Sequence, residues 1–369
     1  MSTATLQKIK LLIFIPTLEC GGTEKYISIL CSHINISTFN VTLVVLNNAD
    51  PFYEINNRVN LIDLKVQRVS RALFKIKKTI RQQQPDIILT TANHLNLLFA
   101  IFRKMLCKKI PIIARESSIV SFNNRNARFS MIYNLLVKLF FCRFNRIICQ
   151  SHYMQFDLIK HFNIPENKTI VIHNPVEAMA SDVSSHTSAS HKINKFITVA
   201  RLSAEKGIDR LIHAVAGFAD PYQYYIIGDG KQKQALQEQI NHLQLQGKVF
   251  LTGVKANPWQ DMGDADLFLS GSYYEGFPNA VLEAGAMGIP VVAFDAPGGT
   301  REIITDHENG LLVNDETAFT ATIKKALQIN FNRAGIIAST KKRFSINANI
   351  SAVEELLVQL LPKKSSNNQ

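Results

Sequence analysis

Two alternating patterns constrain the fold of this chain more than any other feature. Short apolar runs rich in β-branched residues, such as 10–16 and 41–47, are separated by longer segments with helical periodicity. Similar runs recur at 59–64, 86–91, 111–115, 146–150, 169–173, 195–200, 223–228, 249–253, 266–270, 290–294 and 310–313. Strands that alternate with helices are typical of parallel sheets with helices on both faces. The sequence therefore predicts an α/β fold of doubly wound, Rossmann-like sheets.

The length of 369 residues and a break in the pattern predict two domains. Single hydrophobic cores stop growing at about 250–300 residues. A stretch rich in Ser, Ala and His at 178–194 has the composition of a linker. We therefore expect one domain at 1–177, a linker at 178–194, a second domain at 195–345, and a C-terminal helix and tail at 346–369. Ligands of such sheets bind at the carboxyl ends of the strands, so a cleft between the domains is the expected site.

Basic residues are concentrated in the first half of the chain. Residues 1–180 hold 23 Lys and Arg against 10 Asp and Glu, a net charge of +13, whereas residues 181–369 hold 18 against 19. A basic domain beside a neutral one indicates an anionic partner for the first half. Nucleic acid, anionic lipid and a phosphorylated acceptor all meet that description.

The segment 125–149 combines apolar and basic side chains in one predicted helix. They include Met131, Ile132, Leu135, Leu136, Val137, Leu139, Phe140, Phe141, Arg125, Arg128, Lys138, Arg143 and Arg146. This composition suits a membrane headgroup interface, and a core-facing helix with basic flanks accounts for it nearly as well. No stretch reaches the roughly 18 apolar residues of a spanning helix. With five cysteines in no C-x-x-C spacing and no cleaved-signal layout, we expect a cytoplasmic protein that lies on the membrane surface.

The most specific motif follows the run at 266–270. It reads Glu275-Gly276-Phe277-Pro278-Asn279 and continues to Glu283. A helix that starts after a parallel strand offers free N–H groups and a positive dipole end, which bind phosphate. Because carboxylates do not bind phosphate, we expect Glu275 and Glu283 to bind hydroxyl groups. For Glu283 taken alone, an acid that stabilises the helix dipole is the simpler interpretation.

Two cations follow the run at 195–200. Arg201 comes directly after the predicted strand, and Lys206 lies in the next loop before a predicted helix. Positioned cations and helix N-termini stabilise the negative charge of a departing diphosphate without a metal. Arg201 and Lys206 suit that role.

Together these motifs resemble the family 4 retaining glycosyltransferases with the GT-B fold. The resemblance rests on Gly21-Gly22-Thr23-Glu24-Lys25, Arg201 with Lys206, Gly228-Asp229-Gly230 and the motif from Glu275 to Glu283, extended by Pro297-Gly298-Gly299-Thr300-Arg301-Glu302 and Asn309-Gly310. It covers nearly the whole chain and is strongest at 195–313. It implies two Rossmann-like domains that face a cleft, with the nucleotide sugar on the C-terminal domain and the acceptor on the N-terminal one.

The resemblance also implies roles for individual residues. Arg201 and Lys206 would hold the diphosphate, Glu283 the ribose and Glu275 the transferred sugar, which makes Glu275, Arg201 and Lys206 the expected catalytic residues. Further donor-binding residues would be Phe277, Pro278 and Asn279 at sugar and phosphate, Gly22 at the phosphates and Val254 at the base. The expected donor is a UDP-linked hexose or N-acetylhexosamine, ahead of GDP-mannose. The acceptor would be lipid-linked or a saccharide, at the inner face of the plasma membrane, and no cofactor is expected.

One loop departs from the family pattern. Many relatives carry a histidine after the strand equivalent to 111–115, where this chain reads Arg115-Glu116-Ser117-Ser118. His94 comes too early in the chain to replace it. Arg115 and Glu116 are therefore candidates for acceptor binding, and an ion pair at a domain edge is an equally good interpretation.

Asp264 and Asp266 have the D-x-D spacing with which another class of glycosyltransferases holds a divalent metal. They directly precede an apolar run, where turn chemistry favours Asp in any case, so we expect no metal there.

Three other classes of protein share some of these sequence features. A nicotinamide-dependent dehydrogenase needs G-x-G-x-x-G after the first strand, and Gly21-Gly22-Thr23-Glu24 lacks it. A nucleic-acid-binding protein would explain the basic first half of the chain, but it would give Glu275 and Glu283 in the second half no function. A catalytically silent nucleotide-sugar-binding protein stays open, because every residue named above binds its ligand without forming a covalent bond.

Overall fold

The computed structural model describes residues 8–122, 130–177, 193–255, 258–259 and 263–362. The chain divides into two compact units. Unit 1 comprises Met1–Pro175 with Ile346–Gln369, and unit 2 comprises Val176–Ser345. The predicted linker at 178–194 lies outside the described residues except for its last two.

The strands confirm the apolar runs that the sequence analysis identifies as β. They are β1 Ile9–Ile15, β2 Phe39–Val45, β3 Asn60–Asp63, β4 Ile87–Thr91, β5 Ile112–Arg115, β6 Arg146–Cys149, β7 Thr169–Val171, β8 Asn194–Val199, β9 Tyr222–Ile227, β10 Val249–Gly253, β11 Leu267–Ser270, β12 Val291–Phe294 and β13 Gly310–Val313. The helices are α1 Gly22–His33, α2 Leu73–Gln83, α3 Asn93–Leu106, α4 Ser130–Phe140, α5 His152–Phe162, α6 Ile208–Ala216, α7 Lys233–His242, α8 Asn279–Ala286, α9 Thr300–Ile303, α10 Phe319–Gln328, α11 Arg333–Arg343 and α12 Ile346–Gln359. None of the helices in the described ranges has the length and apolarity of a membrane span.

Unit 1 is built on a sheet of seven parallel strands in the order β3-β2-β1-β4-β5-β6-β7. Its central strands are almost continuously apolar because helices cover both faces, and all five residues of β4 are buried. The C-terminal helix α12 belongs to this unit. Its residues Ile350, Val353 and Leu357 join the same hydrophobic core as Ile27 of α1.

Unit 2 is built on a sheet of six parallel strands in the order β10-β9-β8-β11-β12-β13. The fold class predicted from the sequence, α/β with two doubly wound sheets, is thereby confirmed. In each unit the strand order reverses at one place, between β1 and β4 in unit 1 and between β8 and β11 in unit 2. Loops diverge at such a switch point, and ligands of doubly wound sheets bind outside the carboxyl ends of the strands there.

Candidate functional site

The predicted catalytic residues follow the two strands that flank the switch point of unit 2. Arg201 and Lys206 come after β8, and Glu275 comes after β11, its neighbour in the sheet. The two loops are joined through their backbones, because the amide of Tyr273 donates a 2.9 Å hydrogen bond to the carbonyl of Glu205. The parallel sheet thus brings together residues that lie about seventy positions apart in sequence.

Lys206 and Glu275 form an ion pair at this edge. The Nζ atom of Lys206 lies 2.6 Å from Oε1 of Glu275, and the hydroxyl of Ser272 donates a second 2.6 Å hydrogen bond to the same oxygen. The side chains of Lys206 and Glu275 are 24% and 14% exposed. The pair is therefore sheltered from bulk water, which strengthens its electrostatic interaction, while both groups stay accessible from the carboxyl edge.

The loop that carries Glu275 is fixed by the Pro-Gly-Gly motif further along the chain. The amide of Glu275 donates to the carbonyl of Pro297 (3.0 Å), and the amide of Gly299 donates to the carbonyl of Gly276 (3.2 Å). Gly298 has φ of +126°, and a Cβ atom there would lie 1.5 Å from the carbonyl oxygen of Glu275. Only glycine allows this close backbone approach, so the motif serves to support the Glu275 loop.

Helix α8 starts directly after this loop, with Pro278 at its N-cap position and Asn279 as its first residue. The ring of Phe277 is buried and packs 5.6 Å from that of Phe344, which anchors the entry of the helix. The first amides of a helix have no intrahelical acceptor, so this N-terminus can bind an anion beside Lys206.

Glu283 lies beyond the first turn of α8, which contains no acidic residue. Its Oε2 atom accepts a 2.9 Å hydrogen bond from the indole nitrogen of Trp259, the one tryptophan of the sequence. The position past the first turn does not favour the interpretation of Glu283 as a helix-dipole acid. Trp259 orients the carboxylate instead, and it was not among the site residues predicted from the sequence.

Arg201 is the most exposed member of the site, with 71% of its side chain open to solvent. It donates a 2.9 Å hydrogen bond to Glu205 and lies near the hydroxyl of Ser203. The structure therefore places Arg201 on the same edge as Lys206 without joining it to the Lys206–Glu275 pair.

Val254 follows β10 on the same edge and is 55% exposed. The loops after β9 and β10 are tied together by a 2.9 Å hydrogen bond from the amide of Gly228 to the carbonyl of Gly253. Gly228 has φ of +144°, and a Cβ atom there would lie 1.9 Å from the carbonyl oxygen of Ala200. The Gly-Asp-Gly motif thus keeps these loops close to the one that carries Arg201.

Gly22 lies in unit 1, where it is the first residue of α1 after β1, with Gly21 as the N-cap. It therefore occupies the carboxyl edge of its own sheet, next to the switch point between β1 and β4.

Arg115 is the last residue of β5 in unit 1 and Glu116 follows it, and both side chains are fully buried. A guanidinium nitrogen of Arg115 donates a 2.5 Å hydrogen bond to Asn174, and its guanidinium carbon lies 3.6 Å from the centre of the Tyr26 ring. The amide of Asn96 donates a 2.6 Å hydrogen bond to Glu116. Each charged group thus has a neutral amide partner inside the unit. This burial does not fit direct contact with an acceptor.

Burial also changes the ionisation of this pair. Loss of solvent raises the pKa of Glu116 to about 7 and lowers the pKa of Arg115. A second buried carboxyl, that of Asp157, lies near enough to Glu116 to raise its pKa further. With a pKa of about 7, Glu116 is about half protonated at neutral pH, which an exposed glutamate would not be.

Asp264 and Asp266 lie at the amino end of β11, on the opposite edge of the sheet from Glu275. Asp264 forms a 2.5 Å ion pair with the Nζ atom of Lys195, and Asp266 accepts a 2.7 Å hydrogen bond from the backbone amide of Lys195. Both acids thus fasten the start of β8 to the start of β11.

Helix α4 in unit 1 has two different faces. Tyr133 and Val137 are buried, whereas an apolar face of Met131, Ile132, Leu135 and Leu139 is exposed, with Met131 84% open to solvent. The buried side of α4 fits the interpretation of a core-facing helix, and the headgroup interface stays a prediction for the exposed side. We call the four exposed residues the α4 apolar face.

The basic residues of this segment differ in their contacts. Lys138 lies on α4 and is exposed. Arg143 donates to the backbone carbonyls of Ala100 (3.3 Å) and Ile101 (2.9 Å), so it fastens the segment to α3. Arg125 and Arg128 lie outside the described residues.

Two family models match the chain over adjacent ranges. Residues 20–178 match "Glycosyltransferase Family 4", and residues 173–348 match "Glycosyl transferases group 1". Together they span almost all of both units, and their boundary coincides with the start of unit 2.

Two named glycosyltransferases and one solved structure are similar to this chain. An uncharacterised glycosyltransferase of Methanocaldococcus jannaschii is 30% identical over 66% of this chain and 63% of its own length. The N-acetylgalactosamine-N,N'-diacetylbacillosaminyl-diphospho-undecaprenol 4-alpha-N-acetylgalactosaminyltransferase of Campylobacter jejuni is 26% identical over 95% of this chain and 99% of its own. The crystal structure of HepE from Anabaena in complex with UDP-glucose superposes with a TM-score of 0.77 at 19% identity, covering 95% of this chain and 100% of that one.

Proposed function

Since this chain belongs to the family 4 glycosyltransferases and has their GT-B fold, we propose that it transfers a hexose or N-acetylhexosamine from a UDP-linked donor with retention of configuration. The acceptor is lipid-linked or a saccharide, and the product is part of a cell-surface polysaccharide. The observation that carries this proposal is the Lys206–Glu275 pair beside the N-terminus of α8, at the switch point of unit 2.

The donor would bind through opposite charges and hydroxyl groups. Lys206, Arg201 and the first amides of α8 hold the diphosphate, while Glu275 accepts a hydrogen bond from a hydroxyl of the transferred sugar. Glu283, held by Trp259, accepts from the ribose hydroxyls. Phe277, Pro278 and Asn279 line the sugar and phosphate, Val254 borders the base, and Gly22 lets the first loop approach the phosphates.

Transfer with retention then needs little further chemistry from the protein. The bond between the anomeric carbon and the diphosphate oxygen breaks, and the acceptor oxygen attacks from the same face. The acceptor proton passes to the departing phosphate oxygen, so no enzyme base is required. Lys206 and Arg201 stabilise the charge that develops on the leaving group, which is the larger part of the catalytic effect.

Two relatives support the choice of donor and acceptor. The structure of HepE contains UDP-glucose, and the Campylobacter jejuni enzyme is named for transfer of N-acetylgalactosamine to a diphospho-undecaprenol-linked sugar. A lipid diphosphate acceptor combines an anionic head with an apolar tail. The net charge of +13 in residues 1–180 and the α4 apolar face would complement both parts.

We therefore place the enzyme at the inner face of the plasma membrane, bound to an anionic surface by unit 1. Each basic residue near such a surface contributes about 1 kcal/mol, and the attraction decays over a Debye length of about 8 Å at physiological salt. Insertion of the α4 apolar face adds a contribution that salt does not screen.

Transfer is tested by offering UDP-, GDP- and ADP-sugars in a thermal-shift screen and then assaying transfer of the radiolabelled sugar from the stabilising donor. A ligand at 100 times its Kd stabilises the folded state by about 2.7 kcal/mol. We expect stabilisation by a UDP-sugar and net transfer with retained configuration. Stabilisation without transfer to any acceptor would favour the silent sugar-binding protein instead.

Membrane attachment is tested separately by flotation with phosphatidylglycerol vesicles at low and at 1 M salt. Met131→Ser with Leu139→Ser should reduce flotation, because both side chains belong to the α4 apolar face. Phe74→Ser is the matched control, since Phe74 is 78% exposed and lies on α2. Flotation of the α4 variant at the level of the parent would contradict the assignment of this face.

A further inference from the structure

Arg210 lies in the first turn of α6, behind the loop that carries Glu275. Its side chain is only 12% exposed. It donates 2.6 Å hydrogen bonds to two consecutive backbone carbonyls of that loop, from Nε to Gly271 and from Nη2 to Ser272. A third, longer contact of 3.3 Å joins Nη1 to Glu316.

Two aromatic rings hold the guanidinium group in this orientation. Its central carbon lies 3.6 Å from the centre of the Phe294 ring and 4.0 Å from that of Tyr273. Contact with the face of an aromatic ring favours a cation, and the planar guanidinium packs against it without losing its hydrogen bonds. Burial lowers the pKa of Arg210, so the two carbonyls and the rings compensate for the lost solvation.

One of these two carbonyls belongs to a residue that contacts the candidate catalytic carboxylate, Glu275. Ser272, whose carbonyl accepts from Arg210, donates its hydroxyl to Oε1 of Glu275. The approach between the loops at this point is very close, since a Cβ atom on Gly271 would lie 2.2 Å from the carbonyl oxygen of Gly207. A shift of the carbonyls at 271 and 272 would therefore move Ser272 and, with it, Glu275 relative to Lys206.

From these contacts we infer that Arg210 is a positioning residue that holds Glu275 in place relative to Lys206. It acts through the backbone of residues 271 and 272 and does not touch the substrate. The inference rests on the proposed function, in which Glu275 binds the transferred sugar. Lysine cannot replace arginine here, because one ammonium group lacks the rigid fork that reaches two carbonyls at once.

Arg333 provides a matched control at the other end of the same strand. It also donates from a partly buried guanidinium to a backbone carbonyl, that of Ala265, at 2.7 Å. Ala265 precedes β11, on the edge opposite Glu275. Arg210→Lys and Arg333→Lys thus remove the same chemical group from the two ends of one strand.

Transfer kinetics of these two variants, each in the parent and in a Glu275→Ala background, test the inference. Misplacement of a reacting group by 1 Å lowers rates by about 100-fold. We expect Arg210→Lys to lower kcat by about 10- to 100-fold with a much smaller change in the donor KM, and to have little further effect once Glu275 is absent. Arg333→Lys should leave kcat close to that of the parent.

Equal losses from Arg210→Lys in both backgrounds, or an unchanged kcat, would show that the residue only stabilises the fold. An inactive parent would instead contradict the proposed function. In that case the crystal structure of Arg210→Lys decides the inference, because Ser272 and Glu275 should be displaced from Lys206. An unchanged Lys206–Glu275 distance would overturn it.

Discussion

The carboxyl edges of the two sheets carry similar residue types and use them differently. In unit 1, Arg115 is the last residue of β5 and Glu116 follows it, and both are fully buried and bonded to a neutral amide. In unit 2, Lys206 and Glu275 follow β8 and β11, pair with each other, and stay partly exposed. The same residue types after a parallel strand can therefore contact a ligand in unit 2, where they are partly exposed, whereas burial keeps them from direct contact in unit 1.

The difference in exposure follows from the residues that surround the carboxyl edge of each sheet. In unit 1, Asn96 donates to Oε1 of Glu116 and Asn174 accepts from Arg115, while Oε2 of Glu116 and Nε and Nη1 of Arg115 are buried with no hydrogen-bond partner among the described residues. Glycines at 298 and 299 in unit 2 bring backbone segments together, and the Lys206–Glu275 pair stays at the surface of the edge. We expect catalysis to depend on the edge of unit 2 and stability to depend on the edge of unit 1.

The largest effect should come from removing a cation in unit 2. Lys206→Ala or Arg201→Ala should each reduce kcat/KM by roughly 2–4 kcal/mol of transition-state stabilisation, as with lost oxyanion donors. Lys195→Ala is the control, because Lys195 forms an equally short ion pair with Asp264 on the opposite edge. If steady-state kinetics showed the same loss of kcat/KM for Lys195→Ala, the carboxyl edge of the unit 2 sheet would matter no more for catalysis than the amino edge.

Replacement of the buried acid in unit 1 should change stability. The unfolded chain ionises Glu116 near the ordinary value of 4.5, whereas the folded protein keeps it protonated up to about 7. The stability it contributes is thus present below about pH 4.5 and is lost as the pH rises through about 7. Glu116→Gln should remove this loss and stabilise unit 1 by about 3 kcal/mol at pH 8.

Urea unfolding of parent and Glu116→Gln at pH 5 and pH 8 measures this effect. Gln keeps the oxygen that accepts the hydrogen bond from Asn96. A pH dependence that is the same in both proteins would contradict the buried acid. If Glu116→Gln folded stably but lost transfer activity, the carboxyl edge of unit 1 would also contribute to catalysis. The proposed difference between the two edges would then be wrong.

A smaller effect on donor binding is expected from residues that contact the ribose of the proposed donor. Glu283→Ala should weaken donor binding by about 1.5–3 kcal/mol, the range for hydrogen bonds to a charged group, with turnover changed less. Trp259→Phe keeps the ring and removes the 2.9 Å hydrogen bond to Glu283, so it should weaken binding by less. Calorimetric titration with UDP measures both, and an unchanged Kd in Glu283→Ala would reassign the ribose contact.

Much of the fold could be predicted from the sequence because its strands are buried on both faces. Such strands are continuous apolar runs, like β4, and the rule that ligands bind at carboxyl ends then brings Lys206 and Glu275 to one edge. Helix α12 was predicted as a helix but not as part of unit 1, since its partners such as Ile27 are hundreds of residues away in sequence.

The contacts that orient the site were not predictable in the same way. Arg210 and Trp259 act on residues 61 and 24 positions away, and no local pattern marks either as part of the site. The burial of Arg115 and Glu116 could not be predicted from the local sequence either. Charged residues are rarely buried without partners, and the partners here, Asn96 and Asn174, lie on other elements.

The smallest effect should come from chelation. Asp264 and Asp266 have a metal-binding spacing, yet they lie at the amino end of β11 and both bond to Lys195. A metal held there would be on the edge of the sheet opposite Lys206 and Glu275, too far from the diphosphate to stabilise its charge. Transfer rates should therefore be unchanged in EDTA and in Asp264→Asn. If EDTA abolished transfer and manganese or magnesium restored it, Asp264 and Asp266 would be functional metal ligands. The prediction that catalysis depends only on the carboxyl edge of unit 2 would then be wrong.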